Sequence, residues 1–199
     1  GFIFCCFNNN FKITPEIFDV WMRLLNKVDD SVLRLLESNP AVSRNLREVA
    51  KYRNIAPERL VFSSYTKEYS DYLARYRVAD LFLDTLPFNA GGTASDALWA
   101  GLPVLTCSGQ TYTARMAGSL LKAIGLPELI TTTLEAYEQM AINLATHPEK
   151  LLAIKHKLAE NRLATPLFDT KLFTKHIDVA YTMMYERHQA GLAPDHNVV

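Results

Sequence analysis

Residues 81–106 read LFLDTLPFNAGGTASDALWAGLPVLT. The apolar run at 81–83 predicts a short buried strand, and the loop after it leads into a helix at about 94–100. Gly101 is expected to end that helix, because glycine readily adopts the left-handed conformation that closes helices. A second apolar run follows at 103–106. Strand, helix and strand in this order predict a βαβ unit with parallel strands.

The same alternation extends through most of the chain. Further strands are predicted at 2–7, 32–36, 60–62 and 129–131. Helices are predicted from Pro15 and at 42–52, 67–77, 115–124 and 134–144. This pattern predicts an α/β fold with a doubly wound, Rossmann-like parallel sheet over residues 1–146. Residues 147–199 contain only helical patterns, at 149–161 and 171–190, and are expected to form a C-terminal helical tail.

Composition narrows the classes of function. Basic and acidic residues number 21 each, so the formal net charge is zero. Without a basic field, nucleic acid and anionic membrane surfaces are not expected partners. No apolar stretch approaches the roughly 20 residues that a membrane helix needs. Cys5, Cys6 and Cys107 lack metal-binding spacing, which predicts buried free thiols in a reducing compartment such as the cytoplasm.

The loop NAGGTASD at 89–96 has the features of an anion site. Ligands of open parallel sheets bind beyond the carboxyl ends of the strands. Gly91 and Gly92 allow close approach to backbone N–H groups, and the helix N-terminus that follows attracts negative charge. We therefore expect a diphosphate here, with the Thr93 hydroxyl as a further donor. The alternative is a capping box, in which Thr93 and Asp96 only satisfy the helix end.

Two other segments carry candidate residues. Lys12 follows the asparagines 8–10 after the first predicted strand, where its ammonium group would reach the same sheet edge, although a loop lysine is usually just solvated. On the helix at 67–77, Tyr69, Tyr72 and Tyr76 share a face. Such a stripe usually packs in the core, but a tyrosine or Arg75 at its exposed end would suit stacking on a base.

A general base is not evident near these segments. All five histidines lie between residues 147 and 196, and no acidic or histidine cluster has metal-ligand spacing. The sequence also lacks the GxGxxG and GxxxxGK[ST] patterns of dinucleotide-binding oxidoreductases and ATPases. Groups for binding a nucleotide are thus present without an obvious metal or base.

Several stretches resemble O-linked N-acetylglucosamine transferases, especially bacterial ones. They are FNNNFKI at 7–13, ADLFLDT at 79–85, TASDALWAGLPV at 93–104, GSLL at 118–121, PELI at 127–130 and PDH at 194–196. The resemblance runs in order over the whole chain. It implies a metal-independent, inverting, two-lobed transferase of the GT-B type, which uses no cofactor and moves N-acetylglucosamine from UDP-GlcNAc to Ser or Thr hydroxyls.

The resemblance also implies roles for single residues. Lys12 and Thr93 would contact the diphosphate, Asp96 the ribose and Arg75 the uracil. Asn9 stands where the family usually has glutamine, and Gly91-Gly92 where it commonly has His-Thr. Tyr72 stands in place of a histidine that stacks on uracil, and Tyr69 in place of a lysine, with Lys67 nearby.

This chain would be the C-terminal, nucleotide-sugar-binding lobe. It begins at Gly1 in strand-like sequence without methionine, so we expect a piece of a longer protein, with a first lobe and tetratricopeptide repeats elsewhere. The protein acceptor would bind those missing parts, and the isolated chain is expected to transfer no sugar. The departures keep two alternatives open: a related protein N-glucosyltransferase, and a catalytically inactive nucleotide-binding module.

Overall fold

The computed structural model describes residues 1–198. Within these residues, six parallel strands form one sheet in the order β3-β2-β1-β4-β5-β6. Their bounds are β1 Ile3–Cys6, β2 Val32–Leu36, β3 Leu60–Ser63, β4 Leu81–Leu83, β5 Val104–Cys107 and β6 Ile130–Thr131. The chain winds outward from β1 in one direction and then from β4 in the other. This arrangement confirms the predicted doubly wound sheet and opens a crevice between β1 and β4.

In the described part of the chain, eight α-helices connect and follow the strands. They are α1 Pro15–Lys27, α2 Pro40–Tyr52, α3 Tyr69–Ala74, α4 Gly92–Trp99, α5 Met116–Ala123, α6 Leu134–Thr146, α7 Pro148–Ala164 and α8 Thr170–Gln189. Most predicted bounds differ from these by one to three residues. The largest difference concerns α3, which stops at Ala74 and continues as a 3₁₀ turn over Arg75–Val78 instead of one helix over 67–77.

Local capping explains where the helices begin and end. The Thr14 hydroxyl accepts from the Ile17 N–H, and Pro15 occupies the first turn of α1, as the sequence indicates. Helix α2 starts at Pro40, two residues before the predicted start, because the Asn39 side chain accepts from two N–H groups of the first turn. Gly101 follows α4 with a φ of 87°, which confirms the predicted glycine after that helix.

A hydrogen-bonded pair of aromatic residues fixes helices α1 and α6 against the end of β4. Trp21 and Tyr137 are both fully buried. The Trp21 indole N–H donates to the Tyr137 hydroxyl at 3.3 Å, and that hydroxyl donates to the Asp84 carbonyl oxygen at 3.0 Å. Buried polar groups need hydrogen-bond partners. Tyr137 supplies the acceptor for the Trp21 indole, and the Asp84 carbonyl oxygen supplies the acceptor for the Tyr137 hydroxyl. These bonds link the carboxyl end of β4, where the candidate site begins, to α1 and α6.

The C-terminal helices differ in how they pack. Helix α7 buries Leu151 and Leu158, and Arg162 donates to the Trp99 carbonyl oxygen at 2.8 Å, so α7 is attached to α4. Helix α8 has no buried residue. Phe173, Tyr181 and other large apolar side chains of α8 are exposed. Only the first part of the tail therefore packs across the sheet domain.

Two findings bear on the expectations from composition. Cys5, Cys6 and Cys107 are free and buried, as predicted. Within residues 1–198, no helix combines the length and apolar character that crossing a membrane requires.

Candidate functional site

The sheet brings the two best candidate loops together. Strands β1 and β4 are parallel neighbours, with Cys5 opposite Phe82. Because their carboxyl ends point the same way, the loop after β1, which contains Lys12, lies beside the loop from β4 into α4. The predicted anion loop and the predicted lysine thus meet at one edge of the sheet.

Asp84 is the centre of the hydrogen bonding at this edge. Its carboxylate is buried and accepts from the backbone N–H groups of Thr85 and Ala90, each at 2.7 Å. The Thr106 hydroxyl at 2.7 Å and the Asn8 amide at 3.3 Å are two further donors. One carboxylate therefore joins the end of β1, the loop before α4 and strand β5.

The protonation of Asp84 gives a testable pH dependence. Burial raises the pKa of the Asp84 carboxyl to about 6, against the lowering effect of its donors. Its pKa in the unfolded chain is about 3.9. The native state holds this proton more tightly, so the stabilisation from protonated Asp84 is fully present below about pH 4 and is lost as pH rises through about 6.

The Asp84→Asn variant lacks this ionisation and provides the reference. We expect the free energy of unfolding of the wild type, relative to this variant, to fall between pH 4 and pH 7. Urea unfolding at several pH values measures it. A constant difference across that range would contradict the raised pKa.

Asn8 connects Asp84 to the start of α4. Its amide donates to Thr85 Oγ1 at 2.8 Å as well as to Asp84, and its carbonyl oxygen accepts from the Thr93 hydroxyl. Helix α4 begins at Gly92, and its N-cap is Gly91, which has no side chain that could cap the helix. The capping-box alternative for Thr93 and Asp96 is therefore wrong. The helix starts before Thr93, and both side chains bond to other parts of the fold.

The N-terminus of α4 keeps unpaired donors. The first backbone N–H that bonds within the helix is that of Ser95, to the Gly91 carbonyl at 3.0 Å, so the preceding N–H groups have no helical acceptor. Gly92 is exposed, and a Cβ added there would meet no atom within 4 Å. Helix polarity and these N–H groups together favour an anion at this position.

Lys12 lies beside this helix end rather than in open solvent. Its ammonium group donates to the Asn89 carbonyl oxygen at 3.0 Å and lies 3.9 Å from the centre of the Phe88 ring. Partial burial lowers the pKa of Lys12, and the nearby Asp84 opposes that shift. The interpretation of Lys12 as a solvated loop lysine is thus wrong. Asn9, by contrast, is exposed, and its side chain accepts from the Phe11 N–H within its own turn.

A surface cleft of about 300 Å³ lies next to α4, lined by Thr66, Lys67, Glu68, Tyr69, Tyr72 and Asp96. The Asp96 carboxylate accepts from two phenols, Tyr69 at 2.9 Å and Tyr72 at 2.8 Å. Burial, together with the bond to Asp96, raises the pKa of Tyr72 to about 12. The cleft therefore combines an aromatic wall with a carboxylate, as a nucleoside would require.

Arg75 supplies unused donors behind this wall. It is buried, and its guanidinium lies 4.7 Å from the centre of the Tyr72 ring. One of its nitrogens donates to Thr66 Oγ1 at 2.9 Å, while Nε and Nη1 have no hydrogen-bond partner within residues 1–198. On the same face, Tyr76 is in the core, Tyr72 is half-buried and Tyr69 is exposed. Core packing is thus confirmed for Tyr76, and stacking on a base by the other two tyrosines stays a prediction.

Chemically, this edge of the sheet suits a nucleoside diphosphate. Lys12 and the α4 N-terminus present positive charge, while the cleft presents a ring, a carboxylate and a guanidinium. The sequence matches the model of glycosyl transferase family 41 over residues 1–177. The chain belongs to this family.

Family 41 relatives and a solved structure match most of the chain. The probable UDP-N-acetylglucosamine–peptide N-acetylglucosaminyltransferase SEC of Arabidopsis thaliana is 37% identical over 98% of this chain and 20% of its own length. The Caenorhabditis elegans UDP-N-acetylglucosamine–peptide N-acetylglucosaminyltransferase is 32% identical over 98% of this chain and 17% of its own length. A mutant O-GlcNAc transferase from Thermobaculum terrenum superposes with a TM-score of 0.87 and 33% identity, over 92% of this chain and 36% of that one. The chain thus spans about a fifth of the curated relatives' length, and its fold matches the C-terminal lobe of a GT-B glycosyltransferase.

Sequence reasoning missed the buried residues that hold this edge of the sheet together. Asn8, Asp84 and Asn89 are all buried, and Asn89 donates to the Thr85 and Cys107 carbonyl oxygens. A signal was available for Asp84, because a carboxylate directly after a short buried strand lies at the ligand edge of a parallel sheet. Nothing local distinguished Asn8 from its two neighbouring asparagines.

Proposed function

We propose that this chain is the UDP-sugar-binding C-terminal lobe of a protein O-glycosyltransferase. The parent protein would transfer N-acetylglucosamine from UDP-GlcNAc to Ser or Thr hydroxyls, in agreement with the relatives' names. Residues 1–146 would form the sheet domain, and 147–199 the helical tail. The main support is the meeting of Lys12, the α4 N-terminus and the Tyr72–Asp96 cleft at one edge of the sheet.

Each candidate residue has a proposed role. Lys12 and the N–H groups near Gly91 and Gly92 contact the diphosphate, and Thr93 joins them when its hydroxyl turns from Asn8 to a phosphate oxygen. Asp96 accepts from a ribose hydroxyl, and Tyr72 stacks on uracil. Arg75 donates to a uracil carbonyl oxygen, which would supply an acceptor for its unpartnered nitrogens. Asn9 would contact the sugar end of the donor through the NH2 group of its exposed side chain, since its amide oxygen accepts from the Phe11 N–H.

The transfer step assigns this lobe to the leaving group. The acceptor hydroxyl oxygen attacks C1 of the sugar, its bond to C1 forms as the bond from C1 to the diphosphate breaks, and UDP leaves with the electron pair. Lys12 and the α4 N-terminus stabilise the charge that develops on UDP. The hydroxyl proton passes to a base that we do not assign within this chain. Acceptor binding and turnover are proposed for the longer parent protein, in the cytoplasm.

The two alternatives have less support. The relatives reported above are N-acetylglucosaminyltransferases rather than N-glucosyltransferases. A catalytically inactive module is supported only if the groups proposed to contact the diphosphate cannot do so. The missing side chains at Gly91 and Gly92 still leave backbone donors and Lys12 in place.

UDP is expected to bind the 199-residue chain without a divalent metal. The diphosphate charge would be met by Lys12 and backbone N–H groups, and residues 1–198 contain no group of three possible metal ligands. Calorimetric titration of UDP with and without EDTA measures this, and we expect affinities equal within about twofold. A strict requirement for Mg²⁺ or Mn²⁺ would refute metal independence. No binding of UDP under either condition would refute the proposed function.

A further inference from the structure

Tyr69 occupies an unusual position in the cleft. It is the first residue of α3, and 63% of its side chain is exposed. Its ring nevertheless stacks on the Tyr72 ring, with centres 5.6 Å apart and planes inclined by 19°. Its hydroxyl donates to Asp96 at 2.9 Å. An exposed tyrosine thus makes two directed contacts inside the proposed nucleoside cleft.

These two contacts are the ones that a nucleoside would make. A base would stack on Tyr72, and a ribose hydroxyl would donate to Asp96. The Tyr69 ring stacks on the Tyr72 ring, and the Arg75 guanidinium lies 4.7 Å from its centre, so both groups already occupy space next to that ring. A carboxylate oxygen accepts more than one bond, but a ring face has room for one stacking partner. Base and Tyr69 cannot occupy that face together.

The segment that carries Tyr69 is lightly held. Residues 64–70 are all exposed, and Glu68, the N-cap of α3, makes no side-chain capping bond. Side chains at such helix ends change conformation easily, because few buried contacts oppose the change. Tyr69 can therefore leave the cleft without unfolding the core.

We propose that Tyr69 competes with the nucleoside for the Tyr72 ring and the Asp96 carboxylate, and that donor binding displaces it. Tyr69 is then an affinity-determining residue of the donor site. This inference rests on the proposed function. The apparent affinity is the intrinsic affinity multiplied by the fraction of molecules whose cleft is open. Removing the Tyr69 side chain increases that fraction and therefore raises the apparent affinity. Because Tyr69 competes for the base and ribose positions, the gain applies equally to UDP and uridine.

The test compares four forms of the 199-residue chain: wild type, Tyr69→Ala, Tyr69→Phe and Tyr52→Ala. Tyr52 is 82% exposed and lies at the end of α2, which makes it a matched control. Calorimetry gives the affinities for UDP and uridine, and melting curves check the fold. We expect Tyr69→Ala to bind both ligands about 3- to 10-fold more tightly. Tyr69→Phe keeps the stack and is expected to gain less, and Tyr52→Ala is expected to match the wild type.

The outcomes separate this inference from the proposed function. If Tyr69→Ala binds UDP and uridine more weakly, Tyr69 contacts the bound nucleoside and the inference is overturned, while the donor site stands. Unchanged affinity likewise overturns the inference alone. If neither the wild type nor any variant binds UDP, the proposed function fails, and this inference fails with it.

Discussion

Replacing Asp84 by leucine is expected to cost about 3–6 kcal/mol of the free energy of unfolding, because buried donors are left without an acceptor. The N–H groups of Thr85 and Ala90 both bond to Asp84, and both residues are buried. Leucine has the same number and branching of side-chain heavy atoms but accepts no hydrogen bond. Such a loss is a large share of the roughly 5–15 kcal/mol that stabilises a typical domain.

Asp84→Asn is the matched control for this prediction. The Asp84 oxygen that bonds the two N–H groups also accepts from Asn8, while the other accepts only from the Thr106 hydroxyl. An asparagine oxygen can keep the first set, and its amide can donate to Thr106, whose hydroxyl also accepts. We therefore expect Asp84→Asn to cost less than about 1.5 kcal/mol at pH 7.

Urea unfolding of the three proteins decides the matter, with UDP affinity as a second measurement. Asp84→Leu should lose UDP binding as well as stability, because Asp84 bonds the Ala90 N–H before α4 and the Asn8 amide that holds Thr93. Equal stability of the leucine and asparagine variants would show that hydrogen bonding to Asp84 is not what holds this edge. If a folded leucine variant keeps its UDP affinity, the hydrogen bonds of Asp84 are not required for UDP binding.

The fold could be predicted from the sequence because strands, helices and helix ends are each marked by residues close together in the chain. Apolar runs bounded by turn residues gave the strands, and Thr14, Pro15 and Gly101 marked helix ends through bonds to near neighbours. The errors were also local. The predicted start of α2 at residue 42 is two residues late, because the cap is Asn39 and the first helical residue is Pro40.

Residues of the candidate site could be predicted from the sequence, but their hydrogen-bond partners could not, because those hydrogen bonds join distant parts of the chain. Lys12, Thr93 and Asp96 were identified, but the partner of Thr93 is Asn8, 85 residues away. A capping box is judged from spacing alone, and spacing cannot show that α4 begins at Gly92. The partners of Asp96 on α3 were equally hidden. Whether these residues bind a donor stays a prediction, which the next substitution tests.

Lys12→Met is expected to weaken UDP binding by roughly 10- to 100-fold while leaving uridine nearly unchanged. Hydrogen bonds that involve charged groups contribute about 1.5–3 kcal/mol, and uridine has no phosphate to lose. The ammonium group lies beside the α4 N-terminus, bonded to the Asn89 carbonyl oxygen. Calorimetry with both ligands gives the ratio that separates phosphate contact from a general effect.

Lys12 also makes contacts within the fold, so the experiment needs a control for the loss of those contacts. Its contacts with Phe88 and Asn89 join the loop after β1 to the loop before α4. Methionine keeps the stem and packs well against an aromatic ring, so Lys12→Met retains much of that contact. Lys51→Met, at an exposed lysine on α2, removes the same charge elsewhere and should leave both affinities unchanged.

Lys12→Arg completes the set, because it keeps the charge and changes the shape. If the charge acts on the diphosphate, this variant should lie between wild type and Lys12→Met for UDP and match the wild type for uridine. Equal losses for UDP and uridine in Lys12→Met would mean that Lys12 acts through the loops it joins. No loss for either ligand would leave Lys12 with the structural contact alone, and the charge on UDP would then have to be met by the α4 N-terminus.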